Sequence, residues 1–155
     1  QTAQSRALRE FYASNLVITP AQYAYNVIQI AAPKHEVIGV NYEPDIHLIT
    51  QISTLNRGCQ VLLVGQKMAE SKKMKQMLEK SGIYHLNLQS VDIESIHQDS
   101  QFFKHIDMIC ASQSVFDYMR EISPNPEKVV NFSFIINRAS LSVLKTRLVA
   151  VQMKN

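Results

Sequence analysis

Residues 58–82 read "GCQVLLVGQKMAESKKMKQMLEKSG": an unbroken apolar run, then a helical pattern, with a glycine at each end. The run Gln60 to Gly65 is short and carries no polar alternation, as expected of a strand covered on both faces in a parallel sheet. From residue 69 to 81 the pattern changes. Met74 and Met77 interleave with Lys72, Lys73 and Lys75, which gives a helix with one wet face and one apolar face. Asn56-Arg57-Gly58 and Gly82 stand where a left-handed residue closes a helix. Strand followed by helix at this spacing is half of a βαβ unit.

The same alternation extends outward from this stretch. Further strands are expected at residues 37–42, 84–88, 106–111 and 128–134, and helices at 44–55, 93–103, 114–122 and 140–152. Together these make an α/β fold: a doubly wound three-layer domain over residues 36–155 with a mostly parallel five-stranded sheet. The polar stretch "YHLNLQSVDIESIHQDSQFF" fits an edge strand and the helix after it. Ser123-Pro124-Asn125-Pro126 breaks the fourth helix, because proline cannot extend one. Residues 1–35 differ in kind and predict two linker helices. One, over residues 1–13, groups Ala7, Leu8, Phe11 and Tyr12; the other, over 19–31, opens on the capping box "TPAQ" with Pro20 at its first position. Such helices suit a connector or a dimer contact.

With 155 residues, 46% of them hydrophobic, the chain is long enough to bury one sizeable core. The net charge of +3 is mild, and no aromatic residues interleave with the lysines to stack on bases, which argues against a nucleic-acid surface. Apolar runs are too short for a membrane span and no signal peptide opens the chain, so a cytoplasmic protein with no membrane contact is expected. Cys59 and Cys110 adjoin apolar runs without the cationic or helix-opening context that activates a thiol. The start at Gln1, without an initiator Met, points to a piece of a longer chain.

Chemical motifs are sparse. The turn "VNYEPD" carries no G-x-G-x-x-G, the second strand ends in a single glycine, and four glycines in all leave little for a phosphate cradle. A phosphoacceptor site would need a lysine after the last strand, where "FSFIINR" has none. His35 and His105 precede strands, His47, His85 and His97 have no evident partners, and no metal-ligand spacing occurs. No catalytic residue, metal or cofactor is therefore expected. Polar groups do gather after the strands: Asn41, Glu43 and Asp45; Gln66 with Lys67; Ser90 with Asp92; Ser112, Gln113 and Ser114. They suit binding of a small polar effector, and they also read as the N-caps and solvated turns of any α/β domain. Pro44 and Asp45 are accounted for by helix initiation, which leaves Glu43 as the candidate effector contact. A second function is a small α/β enzyme or phosphocarrier using Glu43, Asp45 and His47.

The stretches "VIGVNYEPDIHLITQISTLNRGCQVLLVGQKMAESKKMKQML" and "VVNFSFIINRASLSVLKTRL" resemble the C-terminal domain of bacterial GntR-family transcription regulators, and "EFYASNLVITPAQYAYNVIQIA" is similar to their helical linker. The resemblance implies a homodimeric effector-sensing domain whose DNA contacts come through a winged-helix head upstream of Gln1. It transfers no effector-binding residue.

Overall fold

The computed structural model describes residues 16–31, 35–96 and 100–153. They belong to two compact units, Gln1–Glu43 with Ile136–Asn155, and Pro44–Ile135. In chain order the first unit contributes β1 (Leu16–Pro20), α1 (Ala24–Ala31) and β2 (Glu36–Val40), followed by the short β3 (Tyr42–Pro44). The second contributes α2 (Ile46–Ser53), β4 (Gln60–Gly65), α3 (Met68–Lys80), β5 (Asn87–Asp92), α4 (Ser100–Phe103), β6 (Met108–Ala111), α5 (Phe116–Ile122) and β7 (Val129–Asn131). Last come β8 (Phe134–Ile136), which pairs with β3, and α6 (Arg138–Met153). No described helix is long and apolar enough to cross a membrane.

In the first unit β1 and β2 pair in parallel, Leu16 opposite Glu36 and Pro20 opposite Val40, with α1 between them in sequence. This corrects the helical reading of residues 19–31 at its start. Thr19 is a buried strand residue rather than a helix cap, and the helical turns begin after Pro20, at Ala21. The β-branched run "VIT" prevails over the local capping signal because a parallel partner satisfies its backbone groups. The helix expected at residues 1–13 lies outside the described residues. At the C-terminal end, Asn137 caps α6 by accepting the Ser140 N–H at 2.8 Å, and the buried Ser140 hydroxyl accepts the Asn41 N–H at 2.9 Å. Arg147 grips Glu36 through two hydrogen bonds, which push the guanidinium's pKa further up.

The second unit is built on a four-stranded parallel sheet in the order β5-β4-β6-β7. Along β4, Val61 and Leu63 face the cluster that holds Leu48 and Ile52 of α2 and Met74 and Leu78 of α3. Leu62 and Val64 face the opposite cluster, with Phe103 of α4 and Val115 and Met119 at α5. Both faces are covered, which is why β4 reads as continuous apolar sequence. On α3, Lys72 and Lys73 are exposed while Met74 is buried, the amphipathic pattern expected from "SKKMKQ".

The structure differs from the remaining expectations at several points. The sheet has four strands among the described residues, not five, because the strand expected at residues 37–42 pairs with β1 in the first unit. The strand expected at 84–88 lies at Asn87–Asp92, since Ile83 and Leu86 are buried as loop residues that plug the core ahead of it. The last sheet strand stops at Asn131; Phe132 after it is buried in the core, and Phe134–Ile136 form β8. A division at residue 35 would part β1 from β2; both lie in the first unit.

Candidate functional site

In an open parallel sheet, ligands bind outside the carboxyl ends of the strands where the strand order reverses. Here the chain runs from β4 outward to β5, then returns to lay β6 on the other side of β4. The reversal point is therefore the gap between the ends of β4 and β6. The residues that follow these strands are Gln66-Lys67 and Ser112-Gln113-Ser114. The Ser112 N–H donates to the Val64 carbonyl at 2.9 Å, which holds the two strand ends together.

The turn after β4 is tight. A Cβ on Gly65 would stand 2.9 Å from the Lys67 carbonyl oxygen, the Ser71 nitrogen and the Glu70 Cβ, so only glycine lets α3 start so close to the strand. The Gln66 N–H donates to the Glu70 carboxylate at 2.6 Å, and the Glu70 N–H to the Lys67 carbonyl at 3.1 Å. A carboxylate of the chain itself thus occupies the positive end of α3, where a dinucleotide fold would place pyrophosphate. An incoming phosphate would meet like charge.

The turn after β6 is built from hydroxyls and amides. Ser112 is buried, with its Oγ 3.2 Å from the Oγ of the exposed Ser114. Gln113 accepts a hydrogen bond through Oε1 from Nδ2 of Asn131, the last residue of β7. The other amide atom of Asn131, Oδ1, is buried and has no partner. An unpaired buried carbonyl costs about 1–3 kcal/mol, so a donor that reached it would recover that amount. Sequence reasoning missed Asn131. Its signal was present as the single polar residue in "VVNF".

The expected residues do not all meet. Gln66, Ser112, Gln113 and Ser114 gather at the reversal point, joined by Asn131. Ser90 lies inside β5, not beyond it, and its hydroxyl donates to the Ser71 carbonyl at 3.2 Å, tying the strand to α3. Asp92 closes β5 and accepts the N–H and the hydroxyl of Ser95, bonds that hold its carboxyl below the usual pKa. Asp45 is the N-cap of α2, accepting the His47 N–H at 2.8 Å, rather than a first-turn residue. Asn41 and Glu43 are exposed residues of the first unit.

Reactive groups are quiet. Burial pushes the Cys110 thiol up to about 12, so it is protonated at neutral pH. The Nε2 of His85 lies 3.1 Å from the Leu55 carbonyl, a structural contact. His97 lies outside the described residues. Among the described residues no group of three or more His, Cys, Asp or Glu stands close enough to hold a metal ion.

Neither a curated protein nor a solved structure matches the chain. Residues 62–155 match the model of the YmtS Rossmann-like domain family. This overturns the resemblance to GntR-family regulators, whose supporting stretches were packing patterns, an apolar strand with an amphipathic helix behind it, that any doubly wound domain shares. The match takes in β4 from Leu62, the reversal point and everything after it, and on that ground the chain belongs to the YmtS Rossmann-like domain family.

Proposed function

We propose that this chain is an effector-sensing and dimerisation domain, the kind of module a DNA-binding transcription regulator carries, and that it binds a small polar molecule without transforming it. The observation that carries the reading is the amide pair Gln113–Asn131, with its unpaired buried atom, beside the Ser112–Ser114 hydroxyls at the reversal point of the sheet. Neutral donors and acceptors of this kind orient a ligand, and none of them is an activated nucleophile or a base poised near neutral pH. Any DNA contact would belong to a segment outside this one. The reading as an enzyme or phosphocarrier through Glu43, Asp45 and His47 has less support, since the Asp45 carboxylate is engaged as a helix cap.

A thermal-shift screen of sugars, amino acids, nucleosides and their phosphates tests the binding. A ligand at a hundred times its Kd stabilises by about 2.7 kcal/mol, which raises the Tm of a domain this size by roughly 5–10 °C. Gln113→Ala and Asn131→Ala should remove the shift, and Glu43→Ala should leave it intact. A screen with no stabiliser, or a shift that survives the first two substitutions, rules the site out. Native mass spectrometry of the chain reads the dimer directly.

A further inference from the structure

Of the two outer strands of the second unit's sheet, β5 and β7, the first carries none of the usual edge protections in its own residues. Among the described residues β5 pairs with β4 alone. The Asn87 N–H donates to the Cys59 carbonyl, which sets the parity of the strand: Asn87, Gln89 and Val91 direct their backbone groups toward β4. Leu88, Ser90 and Asp92 direct theirs outward. Sheet edges are ordinarily blunted by lysine, proline or a bulge. The sequence "NLQSVD" contains neither residue, and its register with β4 is uninterrupted from Asn87 to Asp92.

We propose that β5 is a self-pairing edge: two copies of the chain join antiparallel through it, in the register centred on Ser90, to continue the sheet across a two-fold axis. This rests on the dimer in the reading above and names its interface. Only a centre at Ser90 engages all the outward residues at once, Ser90 with its counterpart and Leu88 with the second copy's Asp92. A two-fold contact requires such self-complementarity. One charge pair fits the register. Leu88, Lys75 and Glu79 line one groove of about 310 Å³ between α3 and the start of β5, with Glu79 one helical turn beyond Lys75 toward the end of α3. Leu88, Ser90 and Asp92 share a face of the strand, the one Ser90 shows to α3. The second copy's Asp92, set opposite Leu88, therefore arrives beside Lys75, and the pairing occurs twice across the axis. The Ser95 bonds keep that carboxylate ionised and in place.

The full chain tests this by native mass spectrometry and sedimentation. Wild type should be dimeric. Ser90→Pro removes one outward N–H and the hydroxyl bond to Ser71 of α3 but no bond to β4, so the variant should be monomeric with an unchanged circular dichroism spectrum, while Ser90→Ala, which loses the hydroxyl bond alone, should stay dimeric. Lys75→Glu should weaken the dimer at least tenfold at low salt, and Lys75→Glu with Asp92→Lys should restore it. Should the proline variant misfold, amide hydrogen exchange of wild type decides instead: protection at Leu88 and Ser90 must rise with protein concentration. A dimer that persists in a folded Ser90→Pro variant, or exchange at those amides that ignores concentration, overturns the interface while leaving the dimer standing. The exposed apolar side chains of α1 and α6, such as Tyr25, Ile30 and Val149, are then the alternative contact. A wild-type chain that is monomeric at all concentrations overturns both.

Discussion

Two carboxylates stand two residues apart in "YEPD", and their environments give them different work. Asp45 has its oxygen on the backbone N–H of His47 and its own N–H on the Ser133 carbonyl, so it is fixed at both ends. Asp45→Ala should lower stability by about 1 kcal/mol, the ordinary cost of a lost N-cap, while Glu43→Ala at an exposed position should change it by less than about 0.5 kcal/mol. Urea melts of the two variants make the comparison. Cys110 supplies a second residue-scale outcome. Its folded pKa lies near 12 against an ordinary value of 9.0, so the stability it contributes is fully present below pH 9 and is lost as pH rises from there toward 12. Urea midpoints of wild type should fall more steeply over this window than those of Cys110→Ala. A disulfide reagent at neutral pH should label the half-buried Cys59 in the native protein, and Cys110 only after unfolding.

At the scale of elements, the βα turn after β4 is the most constrained piece of the molecule. Gly65→Ala sets a methyl against backbone atoms of the turn and of the first turn of α3, which have no rotamer to escape through. An overpacking cost of about 1–3 kcal/mol is expected, with loss of ligand binding if α3 shifts. Gly82→Ala differs in kind. Space is open there, but φ is +98°, so the strain is in the backbone alone, at roughly 1 kcal/mol. Thermal melts should rank Gly65→Ala below Gly82→Ala. The element scale is also where the sequence was hardest to read. β4 and β6 were legible because both faces of each are buried, leaving no polar position to interrupt the run. β5 is hard to place from sequence because an edge strand keeps polar residues, and "NLQSVD" carries less hydrophobic signal than the loop residues Ile83 and Leu86 ahead of it. In β1 a strong local cue, "TPAQ", pointed to a helix cap, while the pairing with β2 that decided the matter lies some twenty residues away in sequence.

For the whole molecule, the chain enters the second unit at Pro44 and leaves it at Ile135, and the Asp45–Ser133 hydrogen bond of 2.9 Å brings these ends together. A continuous segment with adjacent ends and its own core on both faces of a sheet has what it needs to fold alone. A fragment of residues 44–135 should melt as one cooperative transition; a non-cooperative melt would show that the two units fold as one. The candidate site was half legible at this scale. Gln66, Ser112, Gln113 and Ser114 follow strands in sequence, so alternation alone placed them at the carboxyl edge. Asn41 and Glu43 also follow a strand, but that strand pairs in the first unit, and nothing in the sequence distinguishes its sheet; Asn131 lies within a strand, where alternation gives no sign of an unpaired amide. The sequence by itself determined that a parallel α/β core is present, because periodicity, helix caps and C-terminal glycines act over a few residues and are written locally. Only the tertiary structure decided the order β5-β4-β6-β7, the reversal point that order creates and which two strands lie outermost. Hydrogen bonds between strands are made by backbone groups that all residues but proline share, so nothing in a strand's own residues names its neighbour.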